Sequence, residues 1–236
     1  MRNRIGIALI VTGLVMSLGI GLGLWFVGDG FRARTVTGVT STGSAVIAAT
    51  ADSASWSLTI GARDADPSVA AKRVASALPK VRAYFTQAGL RADQITVGSL
   101  NTYTSNDGGV QQTDASLSLT LRSSDVQQIA SLNTKVMDLL AAVPGVSLNT
   151  NQPQYTLSKL ETLRPQVQEA AVRDAKQRAA IMASALGVKL GHATSVQAGS
   201  ITVTAPDVIE GDYGGYDLTT IDKRVRAVVT VTFAVQ

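Results

Sequence analysis

A chain of 236 residues has room for one or two domains and a sizeable core. It holds no cysteine and a single histidine, His192, which excludes disulfides, thiolate metal sites and cysteine nucleophiles and leaves little for a histidine-rich metal centre. The formal net charge of +4 is scattered along the chain, so no basic face reads as a nucleic-acid footprint and no nucleic-acid partner is expected.

From Ile5 to Val27 the stretch "IGIALIVTGLVMSLGIGLGLWFV" carries no charged residue. About 20 apolar helical residues are what a bilayer core requires. Arg2 and Arg4 favour a cytoplasmic N-terminus, although Arg32 and Arg34 beyond the run weaken that bias. The run is longer than the roughly 7–15 apolar residues of a secretory signal, and "WFVGDGFRAR" offers no A-x-A cleavage pattern. The expectation is an uncleaved transmembrane anchor over residues 1–28, with a cleaved signal peptide as the alternative. Either reading exports the rest: a tether over 29–34 and an exported domain over 35–236. The chain is then a single-pass membrane protein with its C-terminal domain outside the cytoplasm. Gly19 and Gly23 form a G-x-x-x-G, which the ordinary abundance of glycine in membrane helices explains.

The exported part alternates strands and helices after a preliminary strand near residues 35–50. "SASWSLTIGA" puts Ala54, Trp56, Leu58 and Ile60 on one face, the period of a half-buried strand. A helix follows, with Asp66 as N-cap, Pro67 at its first position, Val74, Leu78, Val81 and Phe85 on its apolar side, and Gly89 at its end. Pro79 is expected to kink it. "DQITVGSLNTYTS" and "ASLSLTLRS" read as strands around the turn "SNDGGVQQ". Ser124 is placed as the cap of a second helix with Val126, Ile129, Val136, Leu139, Leu140 and Val143 as its buried stripe, stopped by Pro144-Gly145. "VSLNTNQPQYTL" is strand-like, with Pro153 pushing it toward an edge or a bulge.

In "EAAVRDAKQRAAIMASALGVKLG" a helix sets Val167, Ala171, Ala175, Ala179, Met182 and Leu186 along one face. The alanines allow close approach to a sheet. Glu169–Arg173 and Asp174–Arg178 pair at i, i+4 on a solvated face, and Gly187 ends the helix. "HATSVQAGSITVTA" and "KRVRAVVTVTFAV" close the chain as two long strands. The order β–α–β–β–α–β, then α–β–β, matches a split βαβ unit at its start. The expected fold is α+β: a mixed, mainly antiparallel sheet with helices packed on one face, preceded by one N-terminal transmembrane helix.

The Ala-rich helix ending in Leu186-Gly187 and Leu190-Gly191 resembles the C-terminal signature of SIMPL-domain (YggE-like) proteins, an LG-x-x-LG doublet. Gly89, Leu90, Asp93, Ile95 and Tyr103 fit a second family passage, with Val97 and Gly98 standing where a threonine is more usual. The first strands resemble a V-x-G-x-G pattern, with Gly38 in place and the second glycine displaced to Gly43. The aromatic-rich "GY" passage of the family is replaced by "VQQTDASLSL". The resemblance covers nearly all of residues 35–235. It implies a bacterial cell-envelope protein, with the anchor in the inner (cytoplasmic) membrane and the domain in the periplasm or otherwise outside the cytoplasm, in some relatives linked to oxidative-stress defence and in some assembling into ring-like or channel-like oligomers. It implies no catalytic residues.

Chemistry read from the residues is sparse. His192 sits at the start of a strand, and no serine lies in a G-x-S-x-G elbow. The loop "APDVIEGDYGGYDLTTID" carries Asp207, Glu210, Asp212, Asp217 and Asp222 with no balancing base. It lacks calcium-loop spacing and reads as a solvated hairpin connection. Tyr213 and Tyr216 are candidate contacts in an oligomer. No catalytic, cofactor-binding or metal residue is assigned, and no cofactor is expected. The expected partners are the membrane, through Ile5–Val27, further copies of the chain, and an unidentified protein. In the last strand Val225, Ala227, Val229, Val231 and Phe233 share one face. The other face, with Arg224, Arg226, Val228 and Ala234, is too apolar for full solvation, and an uncovered strand edge is a template for a neighbouring chain. The chain therefore reads as a non-enzymatic, membrane-anchored envelope module that self-associates or binds a partner, the alternative being an envelope hydrolase of unknown substrate.

Overall fold

The computed structural model describes residues 38–208 and 215–236. The expected anchor at Ile5–Val27 and the tether over 29–34 lie outside the described residues. Among those described, no helix is long and apolar enough to cross a membrane. The elements are β1 (Gly38–Thr50), β2 (Ser53–Asp64), α1 (Pro67–Gln87), a 3-10 turn (Ala92–Gln94), β3 (Ile95–Asp107), β4 (Val110–Ser123), α2 (Val126–Thr134), α3 (Val136–Ala142), β5 (Ser147–Thr150), β6 (Gln154–Thr156), α4 (Leu160–Ala185), β7 (Leu190–Thr204) and β8 (Asp222–Val235). The class is α+β, as expected, but the strands form two sheets rather than one. One has five strands in the order β3-β4-β2-β5, with β6 also on β2; the other has three in the order β1-β8-β7.

The chain divides into two compact units. The larger comprises Ser44–Asp174 and Ala198–Val229; the smaller holds Ala175–Gln197, Thr230–Gln236 and the described part of Met1–Gly43.

In the larger unit the five-stranded sheet has the order of a split βαβ unit, with β4 inserted between β2 and β3 and every named pairing antiparallel. Period-two alternation creates its core. Trp56↔Leu121, Leu58↔Leu119, Ile60↔Leu117 and Ala62↔Ala115 are register partners, and all eight side chains are buried on one face. Helix α1 covers that face with Ala70, Val74, Ala77, Val81 and Phe85, and α2 adds Val126, Ile129 and Leu132. The Phe85 ring meets Trp56 edge-on, with centroids 6.0 Å apart. Asp66 caps α1 by accepting from Ser68 N at 2.7 Å, as expected, and the helix runs on through the exposed Pro79. Gly108 and Gly109, at φ 60° and 88°, turn β3 into β4 through a conformation that side chains other than glycine seldom adopt.

Three local expectations change. The cap of α2 is Asp125, not Ser124: its carboxylate accepts from Gln128 N at 3.0 Å, while the Ser123 hydroxyl takes the Asp125 amide. The second helix is two helices broken at Lys135, whose carbonyl accepts from the Asp138 amide of α3 at 3.0 Å and from the Tyr84 hydroxyl at 3.1 Å. The break rotates the stripe, so Leu132 is buried and Leu140 is exposed. Pro153 divides its strand into β5 and β6, both on the same edge of β2. The intervening Asn151 donates to Ser57 O and accepts from the Trp56 indole N–H at 2.8 Å, so the bulge satisfies the buried tryptophan.

The three-stranded sheet is antiparallel at β1/β8, where Thr40 bonds Thr232 and Thr42 bonds Thr230, each at 3.0 Å between hydroxyls. Among the described residues of the smaller unit, the buried apolar side chains are Ala175, Ala179 and Ala183 of α4 and Val231 and Phe233 of β8. The alanine stripe is thus core, but it ends at Ala183 rather than at Met182 and Leu186, which are exposed. Steps of four residues follow one inclined ridge of the helix, and the contact keeps to that ridge. Gly187, at φ 71°, ends the helix as expected. Glu169 and Arg173 pair at 3.6 Å on the outer face.

Replacing Ala175 by leucine overpacks this contact and is expected to cost about 1–3 kcal/mol. Lys176→Ala, on the exposed side of the helix, should stay within about 0.5 kcal/mol of the parent. Urea denaturation of both variants checks the assignment, and equal effects would contradict it.

Candidate functional site

The strongest electrostatic feature of the larger unit is a feature that the sequence reading missed. Lys223 opens β8 on the same parity as Val225, Ala227 and Val229, and its side chain is completely buried. Its ammonium donates to the Asp217 carboxylate at 2.9 Å and to the Asp217 carbonyl at 2.6 Å, 6.0 Å from the centre of the Tyr216 ring. Asp217 also accepts from the backbone and hydroxyl of Thr219 and from the Thr220 backbone and hydroxyl. Burial opposes ionisation of Asp217, but the Thr220 and Thr219 hydrogen bonds and the Lys223 ammonium outweigh it and hold the carboxyl well below the usual carboxylate range.

This cluster fastens a connecting segment to its surroundings. Tyr216 bridges Val203 in parallel, and Asp217 N donates to Val203 O at 2.8 Å. The Tyr216 hydroxyl accepts from Leu157 N at 2.7 Å, Leu218 O accepts from Tyr155 N, and Ile221 O accepts from Ala51 N. The acidic loop is therefore not a solvated connection over 215–222. Asp217 has a balancing base, and the hydroxyl of Tyr216 is used inside the fold while the residue stays exposed. Glu210, Asp212 and Tyr213 lie outside the described residues. Among the described residues no group of three or more His, Asp and Glu side chains is placed to hold a metal ion.

His192 lies exposed on β7, and among the described residues no side-chain hydrogen bond or ion pair joins it to a serine or a carboxylate. Its strand is more informative. The terminal strand β8 is central, flanked by β1 and β7, so the free edge predicted for it belongs to its neighbours. On β1 the outward amide of Ser44 donates to the Asp174 carboxylate of α4 at 2.9 Å, which guards that edge. β7 has no such guard among the described residues except at its end, where Val203 meets Tyr216. From His192 to Ser200 every residue is exposed, and from Leu190 to Thr204 there is no Lys, Arg, Asp, Glu or Pro. Natural sheets blunt their edges with such residues or with bulges. A long, uncharged and uncovered edge is a site for strand addition.

These features define an α+β protein whose most conspicuous surface is a strand edge. The family model SIMPL, described as a protein of unknown function (DUF541), matches residues 39–233, and the chain belongs to that family. No curated protein matches the chain.

The buried pair sets a pH dependence. A carboxyl held low in the folded state contributes stability above its ordinary pKa of 3.8, and that contribution is lost as the pH falls below it. Asp217→Asn, which leaves Lys223 buried without its counter-charge, is expected to cost about 3 kcal/mol at neutral pH. In urea denaturation the gap from the parent should narrow as the pH drops below about 4. A gap independent of pH would contradict the assignment.

Proposed function

We propose that the chain is a membrane-anchored cell-envelope protein that works by self-association, the β7 edge of one copy pairing with a strand of another. The observation that carries this reading is the uncharged, exposed run His192–Ser200 at the edge of the three-stranded sheet. Pairing would give its outward N–H and C=O groups partners without requiring side-chain complementarity. The apolar run Ile5–Val27 supports an anchor that holds copies in one plane and raises their effective concentration. A pairing between two different edges builds a ring when the rotation closes, and this is the ring-like or channel-like assembly that the family resemblance suggests. The location in the inner membrane, with the domain outside the cytoplasm, and the link to oxidative-stress defence belong to the same proposal and rest on the N-terminal run and the resemblance. The hydrolase alternative needs a histidine held by a carboxylate beside a serine, and His192 has no such hydrogen bonds.

The test is light scattering of full-length protein in neutral detergent at micromolar concentration. A discrete oligomer is expected for the parent, and a monomer with unchanged circular dichroism for Val196→Lys/Ala198→Lys. A monomeric parent, or an oligomer indifferent to both lysines, would overturn the reading.

A further inference from the structure

A second site lies at one end of the five-stranded sheet, where β4 runs into α2. A shallow, open hollow of about 290 Å³ is lined there by Ser53, Arg91, Asp93, Arg122 and Ser124, with Gln94 and the buried Ser123 at its base. The floor is fixed by hydrogen bonds. The Gln94 side chain accepts from Arg91 N at 2.8 Å and donates to the Ser123 hydroxyl at 3.2 Å. Buried Ser123 also takes the Asp125 amide at 3.0 Å and donates to Gln128 at 3.3 Å. Ser123 and Gln94 are thereby used in construction. The rim is not. The Arg122 guanidinium and the hydroxyls of Ser53 and Ser124 make no side-chain hydrogen bond or ion pair among the described residues. Arg91 spends Nε and Nη2 on the two oxygens of Asp93, at 3.0 Å each, leaving Nη1. Two guanidiniums against one carboxylate leave the hollow with one net positive charge. The nearby Asp125 is turned to its own helix, accepting from Gln128 N.

We infer that this hollow binds a phosphate group. Its free donors are the Arg122 guanidinium, Nη1 of Arg91 and two hydroxyls, from separate elements: the β2 start, the 3-10 turn, β4 and the α2 entry. Donors arriving from several directions suit a tetrahedral oxyanion, whose oxygens they can share, better than a planar carboxylate, which one arginine fork satisfies. The same chemistry could be presented by free phosphate or by the phosphate ester of an envelope lipid or polymer.

The test is titration of full-length protein in neutral detergent and low salt, followed by isothermal calorimetry and by phosphorus NMR. The probes are inorganic phosphate, glycerol phosphate and acetate. Saturable phosphate binding is expected, at least about ten-fold tighter than acetate. Arg122→Gln should weaken it by at least about ten-fold. Ser124→Asp adds a carboxylate at the helix entry, where negative charge is tolerated, and should abolish binding by setting a second carboxylate in the hollow. That variant decides the matter if Arg122→Gln fails to fold. Glycerol phosphate binding tighter than phosphate supports an ester as the source; the reverse order supports the free ion. No saturable phosphate binding up to about 10 mM, acetate binding as tightly as phosphate, or affinity unchanged in both variants would overturn the inference.

Discussion

The structure depends on one demand of the backbone: every amide and carbonyl taken from water needs a partner. In the larger unit that demand is met by unusual means in several places. The Trp56 indole finds a carbonyl only because Pro153 breaks the strand opposite and frees Asn151 to face it. Where α2 ends, the Lys135 carbonyl takes both the Asp138 amide and the Tyr84 hydroxyl. The Ser44 amide, which points away from β8, is taken by Asp174. Leu218 and Ile221 feed their carbonyls to Tyr155 and Ala51, and the Lys223–Asp217 pair keeps that segment in position to do so. Among the described residues the outer edge of β7 is a long strand edge left to water, and that suggests a use.

Much of the fold was legible in the sequence. The alternation of Trp56, Leu58 and Ile60 and of Leu117, Leu119 and Leu121 located the two inner strands, and Asp66-Pro67 marked the start of α1, because short-range sterics and burial write those patterns directly. The order of elements also carried the split βαβ arrangement of the five-stranded sheet. What the order could not carry was the division into two sheets. That division depends on which strands meet after long excursions of the chain, and β1 pairs with a strand far along the sequence.

The functional surface was less legible, for physical reasons that can be named. Lys223 shares the parity of the buried face of β8, so the pattern already pointed it inward. A lysine in that position needs a buried counter-charge, and Asp217 lies six residues before it. Reading the charged residues as solvated by default hid the pair. The absence of charge from Leu190 to Thr204 was also visible, but it becomes a liability only at a sheet edge, and edge position is a tertiary fact. The hollow around Arg122 joins residues from three separated stretches, which no local motif announces.

Membership in a family of unknown function leaves the edge of β7 as the feature from which a role is argued. Amide hydrogen exchange across His192–Ser200 tests that role most directly, comparing full-length protein in its assembled state with the dissociated Val196→Lys/Ala198→Lys variant. Amides of an edge strand alternate between those bonded to the neighbouring strand and those pointing outward. The account predicts slow exchange for both sets in the assembly and for the inward set alone in the dissociated protein. Fast exchange of the outward amides in both states would contradict it.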